Sequence, residues 1–90
     1  MKRKEFHELL DAVLDCNASQ DRFDIDCSFQ NNYDGTPMAV FYIHDNKLDP
    51  EILKTQKRTN IVKSHFVSDI SLSVPEAIAI VKTYQEDGKK

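Results

Sequence analysis

One stretch, Arg22–His44, most constrains what this chain can fold into. Its first part, RFDIDCSFQ, alternates apolar and polar side chains with a period of two. That alternation is typical of a β-strand with one buried face and one solvated face. It ends in a turn segment, residues 31–37, that contains an Asp-Gly pair, which favours a hairpin because glycine readily adopts a positive φ. The stretch therefore predicts a β-hairpin with strands Arg22–Gln30 and Met38–His44.

Two helices are predicted at the ends of the chain. The first runs from Lys2 to about Asn17, and one apolar stripe at helical spacing defines its buried face: Phe6, Leu9, Leu10, Val13 and Leu14. The second is predicted to have Ser73 as its N-cap, to continue to about Asp87 and to stop at Gly88. Its apolar face comprises Val74, Ala77, Ile78, Val81 and Tyr84.

The segment between the hairpin and the last helix holds two further predicted elements. A short helix, Asp49–Lys57, begins with Asp as N-cap and Pro at the first helical position. A third strand runs from about Ile61 or Lys63 to Leu72. Its predicted core side comprises Phe66, Ile70 and Leu72, and its other side comprises His65, Val67, Asp69 and Ser71.

These elements predict a single α+β domain over residues 1–90. Consecutive strands tend to be neighbours. The expected architecture is a two-layer sandwich: a three-stranded antiparallel meander with the N- and C-terminal helices packed on one face, in the order α-β-β-(short α)-β-α. The strand residues expected under the helices are Phe23, Ile25, Cys27, Phe29, Phe41 and Ile43, with the core side of the third strand.

The last helix begins Val74-Pro75-Glu76-Ala77-Ile78, which carries no basic residue. The predicted element order resembles that of the double-stranded-RNA-binding domain, but the RNA contacts of that family need a basic start to this helix. The resemblance therefore concerns architecture alone and implies no site residues, because a fold does not determine a function.

Composition excludes several classes of protein. The 90 residues include 40% hydrophobic side chains and carry a formal charge of −3, which argues against disorder and weakly against a dedicated nucleic-acid binder. The charged start of the chain does not read as a secretory signal, and no apolar run is long enough to span a bilayer. The sequence therefore predicts a cytoplasmic protein with reduced thiols.

No residue pattern predicts catalysis, a cofactor or a metal. A metal site could in principle form from His44 and His65 with Asp24 and Asp69, but strand parity alone brings them together and no known ligand spacing does. Cys27 is expected on the opposite sheet face from His44, so the two do not form a nucleophile and base. We therefore predict a protein that is not an enzyme, with no catalytic, cofactor-binding or metal-binding residues.

The open face of the predicted sheet is the main candidate for function. A register that pairs Gln30 with Met38 sets Asp26 opposite Tyr42 and Asp24 opposite His44. The face then has an apolar central stripe beside acidic and imidazole groups, an arrangement typical of contact surfaces as well as of an ordinary solvated sheet. The protein-contact candidates are Met38, Val40, Tyr42, His44, Asp24 and Asp26. The expected partner is an unidentified protein or a second copy of this chain.

The alternative function is nucleic-acid binding through the connector before the third strand. This connector is locally basic, and its anion-contact candidates are Lys54, Lys57, Arg58 and Lys63. Most charge runs are solvated surface, so the same residues also fit a connector with no ligand.

Overall fold

A computed structural model describes residues 2–31, 33–47, 51, 54, 60–68 and 70–90. The elements, in chain order, are α1 (Arg3–Ser19), β1 (Phe23–Asn31), β2 (Pro37–Asp45), β3 (Ile61–Val67) and α2 (Val74–Gly88). The sheet has the order β1-β2-β3, and both strand pairs are antiparallel. The predicted α+β meander is thus confirmed. The predicted helix Asp49–Lys57 lies mostly outside the described residues, of which Glu51 and Lys54 have helical backbone.

The hairpin forms in the predicted register. Gln30 pairs with Met38, Asp26 with Tyr42 and Asp24 with His44. In the turn, Gly35 has a φ of 83°, a conformation that glycine adopts without the steric cost that a Cβ adds. The turn chemistry read from the sequence therefore sets which strand residues face each other.

The core lies between the two helices and one face of the sheet. Ser73 caps α2, because its Oγ accepts a hydrogen bond from the Glu76 N–H at 3.3 Å. The buried apolar residues of this core are Leu9, Val13, Cys16, Phe23, Ile25, Ala39, Phe41, Ile43, Val67, Val74, Ala77 and Val81. Leu14, predicted on the buried stripe of α1, is instead 55% exposed. The stripe on α1 is therefore narrower than its sequence predicts.

The predicted facing of the third strand is wrong. Phe66 pairs with Val40 on the face that α1 and α2 leave open, and it is 54% exposed. Val67 pairs with Ala39 and is buried in the core, while the His65 ring stacks on Phe41 at 5.0 Å. The alternation of β3 is therefore opposite to the prediction.

The early end of β3 explains this error. The strand stops at Val67. The Ser71 N–H then bonds the Ser68 carbonyl at 3.4 Å in a turn, and Leu72 returns beside Val67 in a parallel bridge. Leu72 packs against the core as predicted, whereas Ile70 is 91% exposed. The prediction continued the strand alternation through this turn to Leu72. It therefore placed Phe66 on the same face as Ile70 and Leu72, which is wrong. Asp69 lies outside the described residues.

Two amide side chains fasten α1 to the outer edge of β1. The buried Gln20 donates from Nε2 to the Phe23 carbonyl at 2.6 Å, and its Oε1 accepts from the Phe23 N–H at 2.7 Å. Asn17 makes the same pair of bonds with Ile25, at 3.0 and 2.9 Å. Each amide thus occupies the backbone groups that a neighbouring strand would otherwise use.

Gly88 has a different role from the predicted helix stop. It belongs to α2, its φ is not positive, and the C-cap is Lys89. A Cβ at Gly88 would lie 2.6 Å from Gln20 Cδ. Glycine is therefore required here for the close approach of α2 to the Gln20 amide.

Candidate protein-contact surface

The open face of the sheet carries a row of apolar side chains. Tyr42 is 37% exposed, Phe66 is 54% exposed, and Met38 is partly exposed. We call these three residues the apolar stripe. Val40, a predicted contact residue, lies between Met38 and Tyr42 on the same strand but is only 1% exposed. It is therefore inaccessible to a partner in this structure.

A cavity opens at the hairpin end of the apolar stripe. Its volume is about 360 Å³, and it is lined by Gln30, Asn31, Tyr33, Met38 and Phe66. Two of these, Met38 and Phe66, belong to the stripe itself. The surface therefore combines exposed aromatic area with a recess large enough to receive a side chain.

A polar network occupies the other end of the open face. His44 Nε2 lies 2.9 Å from Asp26 Oδ2, and His44 Nδ1 lies 3.0 Å from Asn60 Oδ1. Asp24, which pairs with His44 along the strands, instead accepts a hydrogen bond from Asn46 Nδ2 at 2.8 Å. The Asp26 side chain stays 76% exposed, so its negative charge remains open to an incoming cation.

His44 and His65, the two histidines of the metal site considered above, lie on opposite faces of the sheet. His44 is on the open face, whereas His65 lies on the helix side, where burial and then the charge of Lys63 lower its pKa. Within the part of the chain that the structure describes, no group of three or more His, Cys, Asp or Glu side chains is placed to hold a metal ion.

Both cysteines lie on the core side. Cys16 is buried and Cys27 is half-buried, and burial raises the pKa of each thiol. A raised pKa reduces the thiolate fraction, which is the nucleophilic form of cysteine. His44, on the opposite sheet face, cannot serve Cys27 as a base.

The described structure does not bring the candidate anion-contact residues together. Lys63 pairs with Ile43 and so lies on the helix side of the sheet, while Lys54 is exposed. Lys57 and Arg58 lie outside the described residues.

The stripe residue that the sequence missed is Phe66. No local signal marks it, because the apolar side chains of β3 point to both faces of the sheet.

Among the described residues, no helix has the length and apolar character needed to cross a membrane. Comparison of the chain with protein-family models, with curated proteins and with solved structures finds no match. The functional argument therefore depends on the geometry of the chain itself.

Proposed function

We propose that this chain is a small cytoplasmic interaction protein, not an enzyme, and that it binds a partner protein through the open sheet face. The observation that carries the proposal is the exposure of Phe66 next to Tyr42, beside a cavity. Aromatic residues are enriched at protein interfaces, and anchors that fill pockets supply much of the binding energy. The two free cysteines fit a reducing compartment.

The chemistry of this face indicates what the partner presents. The cavity beside Met38 accepts an apolar anchor side chain, because Met38, Tyr33 and Phe66 line much of it. Asp26 lies four residues from Gln30 along β1, or about 14 Å from the cavity at about 3.4 Å per residue, and attracts a lysine or arginine. The proposed partner therefore has an apolar anchor and a basic residue in one surface patch.

The test compares Tyr42→Lys and Phe66→Lys with Ile70→Lys as the matched control. Ile70 is 91% exposed, lies in the turn after β3 and is not among the residues that line the cavity, so its substitution adds the same charge outside the proposed contact residues. Val40 is not substituted, since a charge at a buried position would unfold the sheet. Each variant is checked by circular dichroism, and proteins captured from native extract are then purified and titrated.

We expect both stripe variants to lose at least about tenfold in affinity for the purified partner, as for interface anchors. Ile70→Lys should bind like the parent chain. Asp26→Asn should mainly reduce the salt dependence of association. Equal binding by all folded variants contradicts the proposal.

Nucleic-acid binding is the alternative. Its candidates Lys54 and Lys63 are described and exposed, but they are not accompanied by a described basic patch. The open face carries the carboxylates Asp24 and Asp26, which repel phosphate. We therefore favour a protein partner. Binding to duplex DNA, RNA or single strands that weakens steeply with salt would favour the alternative instead.

A further inference from the structure

β1 is an edge strand of the sheet, and side chains bond the outward backbone groups of only its first half. Residues along such a strand direct their backbone groups alternately toward and away from the neighbouring strand. Phe23 and Ile25 point outward and are bonded by Gln20 and Asn17. The next outward residues in this alternation are Cys27, Phe29 and Asn31. No hydrogen bond from the described residues reaches their outward backbone groups.

This open half of the edge lacks the features that protect strand edges. Exposed edges are usually blunted by charged side chains, proline, bulges or a covering segment. The segment Cys27–Asn31 contains neither charge nor proline, and its register with β2 has no bulge. On the opposite edge of the sheet, by contrast, the Leu72 N–H bonds the Phe66 carbonyl at 3.3 Å and β3 carries Lys63.

The side of α1 next to this edge carries exposed apolar side chains as well as charged ones. Leu14 is 55% exposed and the Phe29 side chain is 49% exposed. A cavity of about 360 Å³ lies between the helix and the strand, and Phe6, Leu10 and Phe29 are among its lining residues. An open strand edge beside apolar pockets is the arrangement by which added strands are bound.

The charges on this side of α1 identify the occupant. Asn17 bonds the β1 edge, so the residues spaced three and four apart from it lie on the side of α1 next to that edge. These are Arg3, His7, Leu10 and Leu14, and Asp11 adjoins them. A cation near the N-terminus of a helix is unfavourable for the helix dipole, and no basic residue lies in the last turn. Two copies of α1 that run antiparallel have complementary charges along this side. Arg3 near the start of each helix then approaches Asp11 of the other.

We propose that the segment Cys27–Asn31 pairs antiparallel with the same segment of a second copy of this chain. Asn17 blocks the edge at Ile25, so the register that uses all three outward residues has Cys27 opposite Asn31 and Phe29 on the two-fold axis. The two three-stranded sheets become one continuous six-stranded sheet. The paired edge adjoins the open-face cavity at Gln30 and Asn31, but the proposal is argued from the strand edge and α1 and does not rest on the proposed function.

The helices fit this register. Phe29 lies four residues beyond Ile25, or about 14 Å along the strand at about 3.4 Å per residue. The same distance along α1, at about 1.5 Å per residue, leads from Asn17 to about Glu8. A two-fold axis that passes near Glu8 sets Leu10 opposite the cavity of the second copy. It also brings Arg3 of one copy within about one helical turn of Asp11 of the other.

The first test is the oligomeric state of the chain across a dilution series, by sedimentation velocity and light scattering. We expect a dimer, and we expect Leu14→Lys to raise its Kd at least about tenfold, as a buried charge at an interface does. Ile70→Lys is the matched control and should leave the Kd unchanged. A parent chain that is monomeric throughout the series overturns the proposal, as does a dimer that Leu14→Lys leaves intact.

Charge exchange tests the antiparallel helices directly. Arg3→Asp and Asp11→Arg each place like charges together in a homodimer and should each weaken it several-fold. An equimolar mixture of the two variants restores both opposite-charge pairs, so the mixed dimer should form as tightly as the parent dimer. If mixing brings no recovery, the proposed arrangement of α1 is wrong.

The register is tested by a disulfide. Asn31→Cys places a thiol opposite the native Cys27 of the second copy, at a Cα separation of about 5.5 Å, within the range that a disulfide spans. Mild oxidation should yield a covalent dimer, and the double variant Asn31→Cys, Cys27→Ser should not cross-link in this way. Equal cross-linking of both variants would contradict the register.

Discussion

The Gln20 amide allows the sharpest test of how the two helices are held to the sheet. Gln20 is 7% exposed, and its side chain bonds the N–H and C=O of Phe23 and the carbonyl of Cys16. Replacing Gln20 with alanine leaves these groups without their partner in a buried region. An unsatisfied buried polar group costs about 1–3 kcal/mol, so we expect Gln20→Ala to lower the free energy of unfolding by about 3 kcal/mol. A domain of this size has about 5–13 kcal/mol in total.

Gly88 supplies the partner for a double-mutant cycle. A Cβ at Gly88 would lie 2.6 Å from Gln20 Cδ and 2.7 Å from Cγ, so Gly88→Ala must push the amide out of its hydrogen bonds. In the Gln20→Ala background the same Cβ has room, and alanine is then favoured over glycine in a helix by up to about 1 kcal/mol. We therefore expect a coupling free energy of about 2 kcal/mol between the two positions.

The assay is urea unfolding followed by circular dichroism, with the midpoint and the slope fitted for the parent chain, both single variants and the double variant. The double variant should be as stable as Gln20→Ala or slightly more stable. Additive losses would show that Gly88→Ala does not act through Gln20. A loss below about 1 kcal/mol for Gln20→Ala would show that solvent replaces the amide bonds.

Three further outcomes follow from the same structure. Burial, with the charge of Lys63, lowers the pKa of His65, so the unfolded chain binds more protons below about pH 6.5. The His65 contribution to stability is present above that pH and is lost as the pH falls through the lowered folded pKa. His65→Gln should therefore reduce the change in urea midpoint between pH 7.5 and 5.5. Cys16 should react with a thiol reagent at pH 7.5 more slowly than the half-buried Cys27, and both more slowly than in the urea-unfolded chain; native rates equal to unfolded rates would contradict the burial of both. Gly35→Ala should cost about 1 kcal/mol through its positive φ alone, since a Cβ there meets nothing within 4 Å, and Gly35→Asn should cost less in the same urea assay.

The hairpin could be predicted from the sequence because two local signals agree. The alternation of β1 assigns its faces, and the Asp-Gly turn with its loop length sets the register that pairs Asp26 with Tyr42. Both signals act between residues close in the chain. A shift of one residue would move Phe23 and Ile25 out of the core, so the alternatives are strongly disfavoured.

The facing of β3 could not be predicted in this way. Its sequence offers Phe66 to one face and Val67 to the other, and both are good core residues. Pairing with β2 decides between them, and that register shifts between Ile43 and His44. Such an irregularity depends on tertiary contacts that a local pattern does not contain. The candidate stripe was therefore only partly predicted: Met38 and Tyr42 were found, and Phe66 was missed.

The apolar stripe on the open face and the β1 edge are expected to act together in partner binding. Edge pairing about a two-fold axis perpendicular to the sheet keeps both helical layers on one side, so the two apolar stripes face the same direction. A dimer could then engage two partner molecules on a densely coated surface and dissociate from it more slowly than either single site would, by about 10²-fold or more.

Leu14→Lys separates the two surfaces, because Leu14 lies on α1 beside the β1 edge, on the helix side of the sheet, while Phe66 lies on the open face. The monomeric variant should keep the parent affinity for partner free in solution and lose only the slow dissociation from the coated surface. Phe66→Lys should lose both while remaining dimeric. If Leu14→Lys also weakens binding in solution, then the stripe and the β1 edge are not independent, and the partner contacts α1 as well as the open face.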